Sequence, residues 1–226
     1  MTQPQPTQHK QLAHTIRSPL VIGICGGIAS GKSVVTSQLE KLGAAVIYAD
    51  QIGHQVLREP EVIRILIERF GDTILSVDEP GQLSRAAIAN LVFGKSEIAE
   101  QNRTFLNSIT HPRIRQIIRE RLLQLRSSTT PPRSIVLDVP LLFESGWNSE
   151  CDEIIFVRSP LEQRIERAAS RGWNLEQFTA RENSQLSLSE KEKRSSVILN
   201  NAGTLMEFQT QIAEWYAKRL NPGPAQ

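Results

Sequence analysis

Residues 20–33 read Leu20-Val21-Ile22-Gly23-Ile24-Cys25-Gly26-Gly27-Ile28-Ala29-Ser30-Gly31-Lys32-Ser33, and the fold is decided in this stretch. Leu20 to Cys25 is a short, β-branched apolar run of the kind that forms a buried strand. Gly26 and Gly31 bracket four residues, and Lys32-Ser33 complete the pattern G-x-x-x-x-G-K-S. Glycines permit unusual dihedrals, so successive backbone N–H groups can turn inward on phosphate oxygens. A helix that opens near Lys32 adds its positive end. Lys32 can reach the β- and γ-phosphates of a nucleoside triphosphate, and the Ser33 hydroxyl can ligate Mg²⁺. Gly27, Ile28, Ala29, Ser30, Gly31, Lys32, Ser33 and Val34 are therefore the expected triphosphate-binding residues. Four fixed positions in a glycine-bearing turn can also match by chance. The strand before this turn and the helix after it are the context that the binding mechanism needs.

Working outward, Ser33 to Leu42 has helical spacing at Val35 and Leu39, with Gly43 as a stop. Ala44 to Tyr48 predicts a second buried strand that ends at Asp50. The middle of the chain changes character. Helical spacing runs from Pro60 to Phe70, and Ser84 is placed to cap a helix through Phe93. Two further helices are expected over Ile98–Ile109 and Ile114–Leu125, broken at His111-Pro112. A polar, proline-bearing loop from Ser127 to Arg133 leads into a strand over Ser134–Val139. Ile154 to Val157 predicts a fourth strand, and Ser159-Pro160 starts a helix. Residues Gln163 to Arg194 are highly charged and mostly helical. Val197 to Leu199 is a short last strand, and Thr204 to Leu220 an amphipathic terminal helix. Strands alternating with helices imply a parallel sheet covered on both faces, with a helical insertion in the middle.

Length and composition fit this reading. The 226 residues suffice for one substantial unit with insertions. With 39% hydrophobic and 22% charged residues, the chain suits a globular domain rather than a disordered one. A net charge of +2 is too small to argue for nucleic acid. Cys25 and Cys151 form no disulfide framework and no zinc motif, so a reducing compartment is expected. Residues 1–18 are rich in Gln, Pro and Thr and lack the apolar run of a signal peptide. No stretch approaches the roughly 20 apolar residues of a spanning helix. The expectation is a cytoplasmic protein without membrane or nucleic-acid partners, with flexible segments over 1–18 and 221–226.

A phosphate loop alone does not separate a switch from a kinase. Asp50-Gln51-Ile52-Gly53 matches D-x-x-G of GTPases but comes too early in the chain, and no N-K-x-D is present to read guanine. A kinase has a positive argument in Asp50, at the carboxyl edge of the sheet, where open α/β sheets bind ligands. A carboxylate there can accept or orient the proton of an attacking hydroxyl. Capping the following helix is its alternative role.

At this point the chain resembles the bacterial dephospho-CoA kinase family. The phosphate loop followed by Tyr48-Ala49-Asp50 looks like that family's opening, and His54-Gln55-Val56-Leu57 follows as it does there. Leu83-Ser84-Arg85, Leu91-Val92-Phe93, Leu106-Asn107, Thr110-His111-Pro112, Val139-Pro140-Leu141-Leu142-Phe143-Glu144 and Asn200-Asn201 continue the likeness from about Leu20 to Leu220. The resemblance implies transfer of the ATP γ-phosphoryl group to the ribose 3′-hydroxyl of dephospho-CoA, the last step of coenzyme A synthesis. It implies an α/β fold with a P-loop nucleoside triphosphate hydrolase-type three-layer core and parallel sheet, a helical substrate-binding insertion and a helical lid. The corresponding divisions are core at 19–55, 133–162 and 195–220, insertion at 56–132 and lid at 163–194, in a monomer or small homo-oligomer. Asp50 is then the base, and His54, Arg85, His111 and Glu144 join it around the acceptor. Three positions depart from the family pattern. Ala29 stands where Gly is usual, which is tolerable if its dihedrals are ordinary. Tyr48 replaces a frequent Asp, which alters the surroundings of Mg²⁺, and Val34 replaces a common Thr.

Other residues admit two readings each. Gln163, Arg167 and Arg171 are spaced i, i+4, i+8, hence on one helix face. Arg167 and Arg171 can close over the transferring phosphate, or they belong to a solvated face with Glu162 and Glu166; Arg181 is a weaker candidate. His111 can bond substrate or scaffold the pocket. Arg85 and Arg113 can meet substrate phosphates or decorate helices. Asp138 can support the metal through water or be satisfied by backbone donors. Asn200 and Asn201 can approach adenine or form the turn after the last strand. The rivals are another small-molecule kinase of this loop class, acting on nucleosides or nucleotides, and a nucleotide-responsive binding protein without turnover.

Overall fold

The computed structural model describes residues 18–94 and 96–221. Apart from Ser18 and Asn221, the segments expected to be flexible at the two termini lie outside the described residues. Five strands form one sheet: β1 (Leu20–Gly26), β2 (Ala45–Tyr48), β3 (Ser134–Asp138), β4 (Glu153–Arg158) and β5 (Val197–Asn200). Their order is β2-β3-β1-β4-β5 and every pairing is parallel. The carboxyl ends of all five strands therefore share one edge. β1 is central, with Ile22 in register with Val136 on one side and Glu153 on the other.

Alternation along the strands splits the core in two. Val21, Cys25, Ile135, Leu137, Ile154 and Phe156 face one layer. Above them lie α2 (Ala49–Val56), α3 (Pro60–Phe70), α4 (Arg85–Val92) and α5 (Glu97–Arg126). Ile22, Ile24, Val136, Ile155 and Val157 face the other layer, made by α1 (Lys32–Lys41) and α9 (Leu205–Leu220). Both faces being covered explains why these strands read as unbroken apolar runs.

The helix ends follow local chemistry. After α1, Gly43 takes φ 93°. Its N–H donates to Glu40 O (2.9 Å) while that of Ala44 reaches Leu39 O (3.0 Å), a left-handed glycine stop. Ser84 Oγ caps α4 through the Ala87 N–H (3.3 Å), and Thr204 with Glu207 forms a reciprocal capping box on α9.

Three expectations are corrected. The two helices expected on either side of His111-Pro112 are one 30-residue helix, α5, with Pro112 inside it. Proline lacks the N–H that would bond Ser108 O, a local loss of about 3 kcal/mol. Ile109 on one side and Ile114, Ile117, Ile118 and Leu122 on the other pack into the same core, and this burial holds the helix together. Second, β2 ends at Tyr48, so Asp50 lies in the first turn of α2, not at a strand end. Tyr48 occupies the N-cap position, without a side-chain cap, so Asp50 is not the cap either. Third, the charged stretch divides into α6 (Leu161–Ala169), α7 (Leu175–Asn183) and α8 (Leu188–Lys193). Because α6 stops at Ala169, Gln163, Arg167 and Arg171 do not share one helical face. Among the described residues no helix is long and apolar enough to cross a membrane.

Candidate donor and acceptor site

The turn between β1 and α1 is closely packed. A β-carbon on Gly26 (φ 146°) would lie 2.7 Å from Val157 O, and one on Gly31 (φ 103°) would strike the Asn201 amide. Asn201 is buried and its Nδ2 donates to Ser30 O (2.7 Å), which ties the end of β5 to the loop. Asn200, expected at the nucleotide, is exposed, and its backbone N–H donates to Gln211 Oε1 (2.7 Å). Ala29 takes φ 56°, the one non-glycine with positive φ among the described residues. The condition set for tolerating alanine there, ordinary dihedrals, is not met. The loop must turn through the left-handed region at this position, and alanine does so against its β-carbon.

Lys32 Nζ donates to Gly26 O (3.2 Å) and Gly27 O (2.8 Å). Burial, and then the charge of Lys191, lower its pKa to about 8. Ser33 is exposed at the start of α1. Beside them, Asp138 ends β3 in register with Tyr48. Burial raises the Asp138 carboxyl pKa, the Thr36 hydroxyl and Lys32 lower it, and the charge of Asp50 raises it further. Asp138 thus feels the loop lysine on one side and Asp50 on the other. Tyr48, at the position where the resembled family often has Asp, donates its hydroxyl to Glu40 Oε2 (2.9 Å). Burial and then that carboxylate push its pKa to about 12.

On the α2–α5 side a cavity of about 550 Å³ is lined by Asp50, His54, Arg85, His111, Arg115 and Trp147, among others. The structure thus brings together four expected acceptor residues: Asp50 and His54 from α2, Arg85 from α4, and His111 from α5. Arg115 was not foreseen. It stacks over the Trp147 ring (5.1 Å) and donates to Ser145 O (2.7 Å). A second cavity of about 460 Å³ adjoins through His54, Leu57 and Arg85. Arg113 is turned to an ion pair with Glu59 (2.9 Å). Glu144, expected at the acceptor, is absent from the lining. It accepts from the Leu186 N–H (2.9 Å) and pairs with Lys191 (3.0 Å), so it anchors α8 instead.

Over the loop, Arg167 donates to Ser159 Oγ (2.9 Å), Gln163 Oε1 (2.9 Å) and Ala29 O (3.5 Å). Arg171 is exposed beyond the end of α6. Arg181 stacks on Trp173 (4.0 Å). Two cations escaped the sequence reading. Arg164 is 4% exposed and pairs with Glu182. Lys191 is 2% exposed and donates to Gln185 Oε1 (2.8 Å) as well as pairing with Glu144. Within a run of alternating charges, nothing local marks a cation that tertiary packing will bury.

The arrangement agrees with what similarity shows. The dephospho-CoA kinase family model matches residues 20–207. A dephospho-CoA kinase of Carboxydothermus hydrogenoformans is 40% identical over 194 residues, covering 85% of this chain and 90% of its own. One of Rhodopirellula baltica is 37% identical over 200 residues, covering 88% and 91%. Among solved structures, TT1252 from Thermus thermophilus superposes with a TM-score of 0.72 at 31% identity, over 90% of this chain and 99% of that one. The dephospho-CoA kinase from Campylobacter jejuni gives 0.68 at 25% identity, over 89% and 98%. Matched along nearly its whole described length, in sequence and in fold, the chain belongs to the dephospho-CoA kinase family and carries that family's activity, the final step of coenzyme A biosynthesis.

Proposed function

We propose that the phosphate loop and the 550 Å³ cavity are the donor and acceptor halves of one site, meeting at Asp138. The observation that carries this reading is the shared sheet edge: Asp138 ends β3 in register with Tyr48, two residues before Asp50, and β3 lies beside β1, whose loop leads to Lys32. Lys32 and the amides of residues 27–34 hold the ATP phosphates. The dephospho-CoA ribose enters the cavity with its 3′-hydroxyl toward Asp50. The 3′-oxygen attacks the γ-phosphorus, its proton passes to the Asp50 carboxylate, and the bond to the ADP oxygen breaks. Arg167, already against Ala29 O, stabilises charge on the transferring group. Arg171, exposed beyond the end of α6, has no hydrogen bond to the loop among the described residues, and so no such support. The division into core (19–55, 133–162, 195–220), acceptor-binding insertion (56–132) and lid (163–194) follows from these roles.

The residues fit Mg²⁺ as the accompanying ion. No group of three or more His, Cys, Asp or Glu among the described residues could hold a metal by itself. Mg²⁺ retains water and takes phosphate oxygens, needing only one or two protein donors. The Ser33 hydroxyl would supply one, with Asp138 as a partner through water. When bound, the ion neutralises charge on the β- and γ-phosphates.

Replacing Asp50 by Asn is expected to lower kcat by about 10²–10⁴-fold, the usual worth of a general base, with the KM for ATP little changed. Steady-state kinetics with saturating dephospho-CoA measure this. A rate within twofold of the wild type would remove Asp50 from the role.

A further inference from the structure

Three cations stand around the phosphate loop: Lys32 from the loop itself, Lys191 from α8 and Arg164 from α6. Their mutual influence is registered at Lys32, whose pKa is lowered by burial, by Lys191 and, more weakly, by Arg164. Lys191 is held by two partners, Glu144 and Gln185. Arg164 is not. Its side chain is 5% exposed, yet of its five N–H donors only those on Nη1 have a partner among the described residues, the Glu182 carboxylate. Nε is buried with no partner at all. The guanidinium leans on Phe178 (5.5 Å) and ends against the loop. A β-carbon on Gly27 would lie 2.5 Å from Arg164 Nη1 and 3.1 Å from Glu182 Oε1. Gly27 lacks a side chain where the guanidinium needs the space.

A charged arginine whose Nε is buried without a partner, set against a loop of phosphate-binding amides, is a poor structural filler. An apolar pair of similar size commonly stabilises a core as well or better. We propose that Arg164 is a further catalytic residue of the transfer, presenting its free N–H groups to the γ-phosphoryl oxygens while Glu182 holds its orientation. This rests on the reading that the loop binds the ATP phosphates. Arg164 then acts at the Gly27 end of the loop and Arg167 at Ala29, two guanidiniums from adjacent turns of α6 on one anion. As charge develops in the transition state, donors already fixed in a dry site need no reorganisation.

The test compares Arg164→Gln, Arg164→Lys, Glu182→Gln and the double variant Arg164→Gln/Glu182→Gln in the full chain. The readouts are kcat, KM for ATP, ATP binding by titration, and Tm. Arg164→Gln is expected to lower kcat by about 10²–10³-fold, the loss seen when one preorganised donor is removed, with ATP binding changed far less. Arg164→Lys should recover only a small part, because an ammonium cannot reproduce the fork of donors. The double variant, with neither charge left unpaired, should regain Tm over the single variants while kcat stays low. If kcat returns with Tm in the double variant, or if Arg164→Gln keeps kcat within threefold of the wild type, Arg164 is structural and the proposal fails. Lys32→Ala in the same series isolates the underlying reading. Should it bind ATP as tightly as the wild type, the donor site itself is misassigned, whatever Arg164 does.

Discussion

Lys32 is charged at neutral pH against the pressure of burial and of a second cation, and that has consequences in two directions. Its pKa falls from the usual 10.5 to about 8 in the folded chain. Between those values the unfolded chain binds a proton that the folded chain has released, so this group's contribution to stability rises with pH across that window. The triphosphate needs the charged form, so its affinity moves the opposite way. ATP affinity is expected to be flat below about pH 8 and to weaken above it by at most about tenfold per unit. Titrations at pH 7 and pH 9.5 check this, and equal dissociation constants would contradict it. Ala29 makes a second residue-scale case. A left-handed alanine costs about 1–2 kcal/mol, while glycine adds about 0.5–1 kcal/mol of backbone entropy. Ala29→Gly should therefore stabilise the chain by up to about 1 kcal/mol and raise Tm by about 2 °C; a melt with lower Tm would show that the turn is not strained. The loop's place and purpose were legible because Gly, Lys and Ser at fixed spacing have few other uses. Which of its four inner residues turns left-handed was not, since that depends on how Asn201, Val157 and the loop pack together.

The elements show the same division between local rule and tertiary override. Strand runs, the Ser84 cap and the Gly43 stop were readable because each is decided within a few residues. The break at Pro112 was the local expectation too, and it failed because apolar residues on both sides of the proline enter one core. If burial alone carries the helix past Pro112, then Pro112→Ala should restore a backbone hydrogen bond and stabilise the chain. The gain is about 1–2 kcal/mol after the lost rigidity of the unfolded chain is subtracted. Urea unfolding measures it, and an unchanged midpoint would mean that neighbouring groups already satisfy the freed carbonyl. The arginine face failed for a different reason. Spacing of i, i+4, i+8 assumes an uninterrupted helix, and α6 ends at Ala169 before reaching Arg171. Arg164, lying one residue from the expected face, is the side chain that the bundle buries.

At the scale of the whole molecule, alternation of strands and helices announced a parallel sheet, but not the order β2-β3-β1-β4-β5. That order is what sets β1 and its loop beside β3 and Asp138, with the Asp50 cavity on the next strand's side. Glu144 shows the limit of motif reading in three dimensions. It closes a segment, Val139 to Glu144, that matches the resembled family, and its carboxylate holds Lys191 of α8. The account as a whole requires one acceptor. The chain should be incubated with ATP and Mg²⁺ and offered dephospho-CoA, adenosine or AMP in separate reactions, with ADP followed in each and the product identified by phosphorus NMR. Stoichiometric ADP and a ribose 3′-phosphate with dephospho-CoA, and background ADP with the other two, is the expected result. Turnover of adenosine or AMP at the same rate, or none with dephospho-CoA, would contradict it.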